Sequence, residues 1–198
     1  MYTLLSGLYS QYTRKEEYFV MIIGLDNAGK TTLLERIKVL YNHTKGLDPV
    51  QIAPTVGLNV GKVNVHSSRL NFWDLGGQKQ LHSIWEKYYD DCHAIMFVVD
   101  STDRERIEEV KTILENVMQN DIINGIPVIM LANKQDVVGA LTLQEIQEIF
   151  NQIAVALEAR DSKVLCISAL EGTGVQDAIE WLYLRLQRNK VDRPPFFS

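Results

Sequence analysis

The chain alternates between two hydrophobic rhythms. Short runs rich in β-branched residues stand at Tyr18–Gly24, Ile95–Asp100, Pro127–Ala132 and Val164–Ile167. Each is apolar at consecutive positions, the pattern of a strand buried on both faces of a mostly parallel sheet. Between the runs, apolar positions recur at helical spacing. Leu33, Leu34, Ile37 and Leu40 form one stripe within Thr31–Tyr41, and Val175, Ala178, Ile179, Leu182 and Leu186 form another within Gly174–Asn189. Asp103–Asn120 and Thr142–Leu157 share that period. One stretch breaks the alternation: Leu58–Val65 and Arg69–Leu75 are both strand-like, and the join at His66–Ser67–Ser68 has hairpin spacing. The pattern predicts an α/β fold, a six-stranded and mostly parallel sheet with one antiparallel strand and helices on both faces. The connections are short except Asn42–Pro54, which carries Gly46, Pro49 and Pro54. Long loops in compact domains are often functional. The tail Asp192–Ser198 contains Pro194–Pro195 and is expected to leave the fold.

The chain has 198 residues, the size of one domain, with 46% hydrophobic and 23% charged residues. The division expected is an N-terminal segment 1–17, a domain over 18–190 and a flexible tail over 191–198. With 25 Asp and Glu against 20 Lys and Arg, the net charge is −5. That argues against nucleic-acid binding, which needs a clustered basic excess. It leaves room for a single nucleotide, which needs only a local site. No apolar run reaches the roughly 18 residues of a membrane span. Tyr, Ser and Gln interrupt the apolar N-terminal stretch and no small-residue cleavage site follows, so a signal peptide is not expected. Cys92 and Cys166 sit far apart in apolar surroundings, which fits a reducing, cytoplasmic compartment.

The strongest chemical signal is Gly24-Leu25-Asp26-Asn27-Ala28-Gly29-Lys30-Thr31. It matches G-x-x-x-x-G-K-[ST] and lies between a predicted strand and a predicted helix, where a phosphate loop must lie. The glycines let successive N–H groups point inward at phosphate oxygens. The helix N-terminus adds partial positive charge. Lys30 brings a full charge to the β- and γ-phosphates, and the Thr31 hydroxyl suits Mg²⁺.

Asn133-Lys134-Gln135-Asp136 follows the strand Pro127–Ala132, about 100 residues beyond the phosphate loop. An Asp136 carboxylate there can accept from guanine N1–H and the 2-amino group together, a pair that adenine lacks. Lys134 would lay its stem along the base, and Asn133 would tie loops together. Ser168-Ala169-Leu170 follows the last strand and is placed to offer a backbone N–H to guanine O6. Asp74-Leu75-Gly76-Gly77-Gln78 ends the second hairpin strand. Asp74 can hold the metal through water, Gly77 can give an N–H to the γ-phosphate, and Gln78 can orient the attacking water. Thr55, after the long loop, can bond Mg²⁺ and γ-phosphate. Both segments should loosen once that phosphate leaves. Asn42–Pro54 has no Arg to act in cis. Slow intrinsic turnover and an Arg supplied in trans by an activating protein are therefore expected.

Taken together these residues resemble a small GTPase with the P-loop GTPase three-layer fold. Trp73-Asp74-Leu75-Gly76-Gly77-Gln78 and Pro54-Thr55-Val56-Gly57-Leu58-Asn59 are similar to the ADP-ribosylation-factor family and unlike Ras or Rab. The resemblance runs from Tyr18 to about Asn189. Met1–Tyr9, Gly24–Thr32, Ala159–Ser168 and Asp177–Pro195 point to its related-protein branch, particularly the fungal form. It implies GTP/GDP and Mg²⁺ as ligands, with Gly24, Asp26, Asn27, Ala28, Gly29, Lys30, Thr31 and Thr32 on the nucleotide. It implies a GTPase cycling from cytosol to the Golgi, trans-Golgi above all, that acts in vesicle trafficking and tethering through effectors or a downstream GTPase. It also implies a dedicated exchange factor and a hairpin, roughly Leu58–Trp73, that slides when GTP binds and expels the N-terminal segment. Leu58, Trp73 and Tyr88 match the family's apolar effector patch, although most members carry Phe where this chain has Leu58.

Met1, Leu4, Leu5, Leu8 and Tyr12 fall on one helical face, flanked by Tyr2 and Tyr9. Such a face either packs on the chain's own core or serves as a switchable membrane or receptor anchor. Tyr2 is a departure from most of the family, whose glycine there is myristoylated. The related-protein branch is thought instead to retain and acetylate Met1 and to use a membrane-protein receptor at the Golgi. The chain ends without a cysteine for prenylation. His43, His66, His82 and His93 lack metal-ligand spacing and read as surface or structural residues, and Trp85 and Trp181 as packing residues. Two other functions compete: a module that holds GTP as a structural ligand, and a P-loop kinase of small metabolites. Gln78 speaks against the first. Asn133–Asp136 and the missing Arg-rich lid speak against the second.

Overall fold

The computed structural model describes residues 15–154 and 161–197. The predicted N-terminal anchor at Met1, Tyr2, Leu4, Leu5 and Leu8 lies outside the described residues. Among the described residues seven strands form one sheet: β1 (Glu16–Ile23), β2 (Leu58–Val65), β3 (Ser68–Leu75), β4 (Ala94–Asp100), β5 (Val128–Asn133), β6 (Ser162–Cys166) and the short β7 (Phe196–Phe197). Their order is β2-β3-β1-β4-β5-β6, with β7 on β1. The pairs β3/β1, β1/β4, β4/β5 and β5/β6 are parallel. The hairpin pair β2/β3 is antiparallel, as its spacing predicts. Its turn is one residue tighter than expected, because Ser68 joins β3 and His66 takes a left-handed φ of 50°.

The helices are α1 (Lys30–Asn42), α2 (His82–Trp85), α3 (Ile107–Met118), α4 (Leu143–Ala154) and α5 (Val175–Arg188). Alternation along the strands divides them between two faces. Val20 and Ile22 of β1 join Leu33, Leu34 and Ile37 of α1 and Ala178, Ile179, Leu182 and Leu186 of α5. Met21 and Ile23, one residue out of phase, join Trp85, Val110, Leu114 and Val117 on the opposite side, with Ile146 and Phe150 of α4. A continuous apolar run therefore marks a strand with a helical layer on each face. Helix α4 opens on a capping box: Glu145 Oε2 accepts from the Thr142 N–H (2.8 Å), and Thr142 Oγ1 accepts from the Glu145 N–H (3.3 Å). The short α2 has no counterpart in the sequence reading, since four residues cannot establish a helical period.

The C-terminal end corrects another expectation. The tail predicted to leave the fold docks: Phe196 and Phe197 pair antiparallel with Glu17 and Glu16. Strand β4 begins opposite Val20, so the first residues of β1 have a free edge on that side, and the tail covers it. Phe196 stacks edge-on against Phe19 (5.4 Å) and His93 (5.6 Å). His93 is buried and structural, as its lack of a metal partner in sequence suggested. Its Nδ1 accepts from the Phe19 N–H (3.1 Å) and its Nε2 donates to Pro194 O (3.1 Å). Burial lowers its pKa, and both ring nitrogens are occupied by the neutral tautomer. Phe196→Ala should cost about 1 kcal/mol, a melting shift of a few degrees. Val191→Ala, at a side chain 90% exposed, should cost nothing measurable. Thermal unfolding of both variants checks the docking; equal melting points would return the tail to solvent.

Candidate functional site

Parallel strands place their C-terminal ends along one edge, and loops leaving that edge build the site. β1 runs into Gly24–Lys30, β3 ends at Asp74 and Leu75, β5 ends at Asn133, and β6 leads to Ser168. A cleft of about 430 Å³ opens there, lined among others by Asp26, Lys30, Thr31, Thr55, Gly77 and Gln78. Asn27 (φ 59°) and Lys134 (φ 68°) hold left-handed backbone without being glycine, each inside one of the two predicted nucleotide motifs. Such conformations persist where the surroundings impose them and cluster at functional loops.

Lys30 is the centre of the phosphate loop and is 6% exposed. Its Nζ donates to Gly24 O (3.0 Å) and Leu25 O (2.6 Å), inside the curl of the loop. Burial pulls its pKa down to about 8, against the attraction of Asp74 and Asp26. Gly77 closes over the loop: a Cβ there would stand 2.4 Å from Asp26 N and from Lys30 Nζ. Only glycine permits that approach of the β3–α2 segment to the phosphate loop. Asp26 faces Arg106, whose Nη1 lies 2.8 Å from Asp26 Oδ1 and whose Nε lies 2.5 Å from Asp103 Oδ2.

Thr31, Thr55 and Asp74 converge although they are far apart in sequence. Thr31 Oγ1 donates to Asp74 Oδ2 (2.7 Å) and lies 2.8 Å from Thr55 Oγ1. Thr55 Oγ1 and Asn59 Nδ2 reach the same carboxylate oxygen at 3.4 and 3.3 Å. Asp74 is fully buried; burial raises its pKa, while the bonds from Thr31 and Asn59 oppose the rise. Its other oxygen, Oδ1, is buried without a protein partner. Two hydroxyls and a carboxylate with an unused buried oxygen are hard donors of the kind Mg²⁺ takes, alongside phosphate and water. The residues fit the ion: Thr31 and Thr55 would hold it directly and Asp74 through water. Bound there, Mg²⁺ supplies positive charge to the phosphates. Among the described residues no cluster of three His, Cys, Asp or Glu offers a different metal site.

On the base side, Asn133 is a staple. Its Nδ2 donates to Ala28 O (2.8 Å) and its Oδ1 accepts from the Ala169 N–H (2.9 Å). The phosphate loop and the loop after β6 are thus tied by one side chain. Of the Ser168-Ala169-Leu170 turn, expected to offer a backbone N–H to guanine O6, the Ala169 N–H is engaged by Asn133. Asp136 Oδ1 accepts from Ser168 Oγ (2.6 Å), which aims the carboxylate. Lys134 Nζ lies 2.6 Å from Asp100 Oδ2. Gly29 must be glycine here, because at φ 89° a Cβ would come within 2.4 Å of Asn133 Nδ2.

Trp73 and Tyr88 of the predicted effector patch meet, with ring centroids 5.1 Å apart. Leu58 on β2 stands 37% exposed beside Val60 at 44%. Several contributors were not legible beforehand. Trp85 Nε1 donates to Gly76 O (3.1 Å) and His82 Nε2 to Gly77 O (2.9 Å), so α2 holds both glycine carbonyls. Neither residue carries a motif, and a helix of one turn supplied no periodicity to find them.

A sequence model of the ADP-ribosylation factor family matches residues 3–186. The chain belongs to that family. ADP-ribosylation factor-like protein 3 of Saccharomyces cerevisiae is 52% identical over 200 residues, covering 100% of both chains. ADP-ribosylation factor-related protein 1 of Homo sapiens is 48% identical over 196 residues, 98% of this chain and 97% of its own. The solved Arl6 BBS3 small GTPase of Trypanosoma brucei, with bound nucleotide analogue GppNp, matches 87% of this chain and 98% of its own. Its TM-score is 0.75 at 32% identity. As an ADP-ribosylation-factor-family GTPase, the protein binds guanine nucleotide and hydrolyses GTP to GDP. The metabolite-kinase and non-hydrolysing alternatives fall.

The buried ammonium makes this GTPase pH-sensitive in one direction. Phosphate favours charged Lys30, so nucleotide binding raises its pKa. Affinity should be full below about pH 8 and fall as pH rises through that value. The loss approaches about tenfold per pH unit. Lys30→Arg, whose guanidinium does not titrate there, should show no such fall. GDP dissociation constants measured across this window check it; a wild-type profile as flat as the variant's would refute the depressed ammonium.

Proposed function

We propose that this GTP-binding switch, in its GTP form, associates with the cytosolic face of the Golgi, trans-Golgi above all, and recruits effectors for vesicle trafficking and tethering. The observation that carries the reading is the convergence of Thr31, Thr55 and Asp74 beside Gly77, which lies on the phosphate loop. Thr55 precedes β2 and Gly77 follows β3, so the segments at both open ends of the hairpin meet where a γ-phosphate would lie. A ligand that draws on both couples its own presence to the hairpin between them. Gly57 and Gly76 already join these segments: Gly76 N–H donates to Gly57 O (3.0 Å). The hairpin presents Leu58 and Val60 to solvent, next to the Trp73–Tyr88 pair. That surface suits an effector that reads nucleotide state. Likeness along the full chain to the related-protein branch supports the Golgi as destination.

The partners of this reading are an exchange factor, an activating protein, a Golgi membrane receptor protein for the N-terminal segment, and tethering effectors or a downstream GTPase. Gln78 is exposed on the rim of the cleft, free to orient water. Arg106 is engaged by Asp26 and Asp103, which supports an activating protein as the source of the Arg that stabilises the transferred phosphoryl group. Gln78→Leu should slow activator-stimulated hydrolysis by about 100-fold while leaving GDP affinity unchanged. Single-turnover rates measure this; a normal stimulated rate removes Gln78 from the mechanism.

Localisation needs its own test. The full chain, loaded with GDP or with a non-hydrolysable GTP analogue, should be incubated with Golgi-enriched membranes and floated on a density gradient. The analogue form should float and the GDP form should stay behind. Equal partition of the two would sink the proposal.

A further inference from the structure

Arg36 lies on α1, the helix that begins at the phosphate loop, and points away from the cleft toward the loop after β6. Its Nε donates to Ala169 O (3.2 Å) and its Nη2 to Leu170 O. The fit is close: a Cβ on Gly172 would come within 3.2 Å of Arg36 Cδ. Burial of Leu170 does not hold the loop, since that side chain is 47% exposed. The loop also closes on itself, through Gly172 N–H to Ser168 O (2.7 Å) and Ser168 N–H to Thr173 O (3.0 Å). On the base side, Asn133 Oδ1 accepts from the Ala169 N–H (2.9 Å), and Ser168 Oγ donates to Asp136 (2.6 Å) and accepts from the Glu171 N–H (3.0 Å). A trans peptide is planar, with its C=O and N–H on opposite sides. Turning the Ala169 and Leu170 carbonyls toward α1 therefore turns the Leu170 and Glu171 N–H groups toward the side that Asn133 and Asp136 define.

We propose that Arg36 is a positioning residue for guanine recognition. By gripping two consecutive carbonyls from the phosphate-binding helix, it keeps the Leu170 N–H, which shares a peptide with the Ala169 carbonyl, on the side where the purine oxygen would lie. It acts through the loop and not on the nucleotide. A guanidinium suits the task because its planar fork can serve two acceptors at once, which an ammonium serves less well. The proposal rests on the base pocket formed by Asn133, Asp136 and Ser168–Leu170.

The test uses the full chain as wild type, Arg36→Ala and Arg36→Lys. Each is titrated with GDP, with inosine diphosphate, which lacks the 2-amino group, and with 2-aminopurine riboside diphosphate, which lacks O6 and the N1 proton; the N1–H bond to Asp136 is common to wild type and variants, so a change in this ratio reports O6. Wild type should prefer GDP over both analogues. Arg36→Ala should weaken GDP about tenfold and reduce the preference over the 2-aminopurine nucleotide by a similar factor. The preference over inosine diphosphate, read by Asp136, should stay. Arg36→Lys should restore part of the loss; if the alanine variant does not fold, a smaller decrease of the same ratio in Arg36→Lys carries the test. Equal weakening toward all three ligands, or none, overturns the role of Arg36. A wild type without preference for guanine would instead overturn the base pocket itself.

Discussion

The site depends on a charge held where charges are costly. Lys30 carries its ammonium into the floor of the phosphate loop, with two backbone carbonyls as its near partners. Burying an ion without full compensation is unfavourable by several kcal/mol in proteins. The nearby carboxylate of Asp74 is itself buried, shifted toward its neutral form, and has one oxygen without a protein partner. The two groups are not a self-sufficient ion pair. They are halves of a larger arrangement that phosphate and a hard cation complete. Binding energy is available because the protein alone leaves the electrostatics unfinished.

That arrangement sets the demands on the surrounding backbone. The loop must curl around an ammonium, which places Asn27 in left-handed conformation. The segment after β3 must come within contact distance of the loop, which leaves no room for a side chain at Gly77. Trp85 and His82 then hold the carbonyls of Gly76 and Gly77 from α2. Asn133 braces the opposite flank by bonding the phosphate loop and the base loop together. Phosphate recognition and base recognition are therefore mechanically joined, through Asn133 on one side and α1 on the other. Thr55 and Gly77, in the two segments that flank the hairpin β2–β3, both border the phosphate site, so a change of occupancy there would bear on the hairpin. This is the physical basis of a GTP-binding switch in an ADP-ribosylation-factor-family fold.

Much of this was legible in one dimension. The phosphate loop could be read because its chemistry is local: eight consecutive residues supply the turn, the amides, the ammonium and the hydroxyl. Four of the strands could be read because their residues form uninterrupted apolar runs, and the hairpin pair because its two strand-like stretches are joined by three residues. Many of the contacts that escaped reading join positions remote in the chain, although Trp85 and His82 reach Gly76 and Gly77 from only nine and five positions away. Arg106 pairs with Asp26, 80 positions away. Arg36 reaches Leu170, 134 positions away. The tail was misjudged for a related reason. Pro194–Pro195 signals departure from regular structure, but the free edge of β1 that receives Phe196 and Phe197 exists only because β4 starts pairing late, with Ala94 opposite Val20.

By itself, then, the sequence determined the alternation of strands and helices, the hairpin, the phosphate loop, the guanine motif and the residue types offered to phosphate and metal. Each of these rests on a local property, either the period of apolar positions or the conformational needs of a short turn. Tertiary structure alone decided which of those residues meet. It brought Thr31, Thr55 and Asp74 onto shared hydrogen bonds, pressed Gly77 onto the phosphate loop, set Asn133 between two loops and folded the C-terminal tail back onto β1. The physical reason is that these approaches are set by strand order, by register and by the packing of two helical layers. Those quantities belong to the assembled sheet and to no window of the chain.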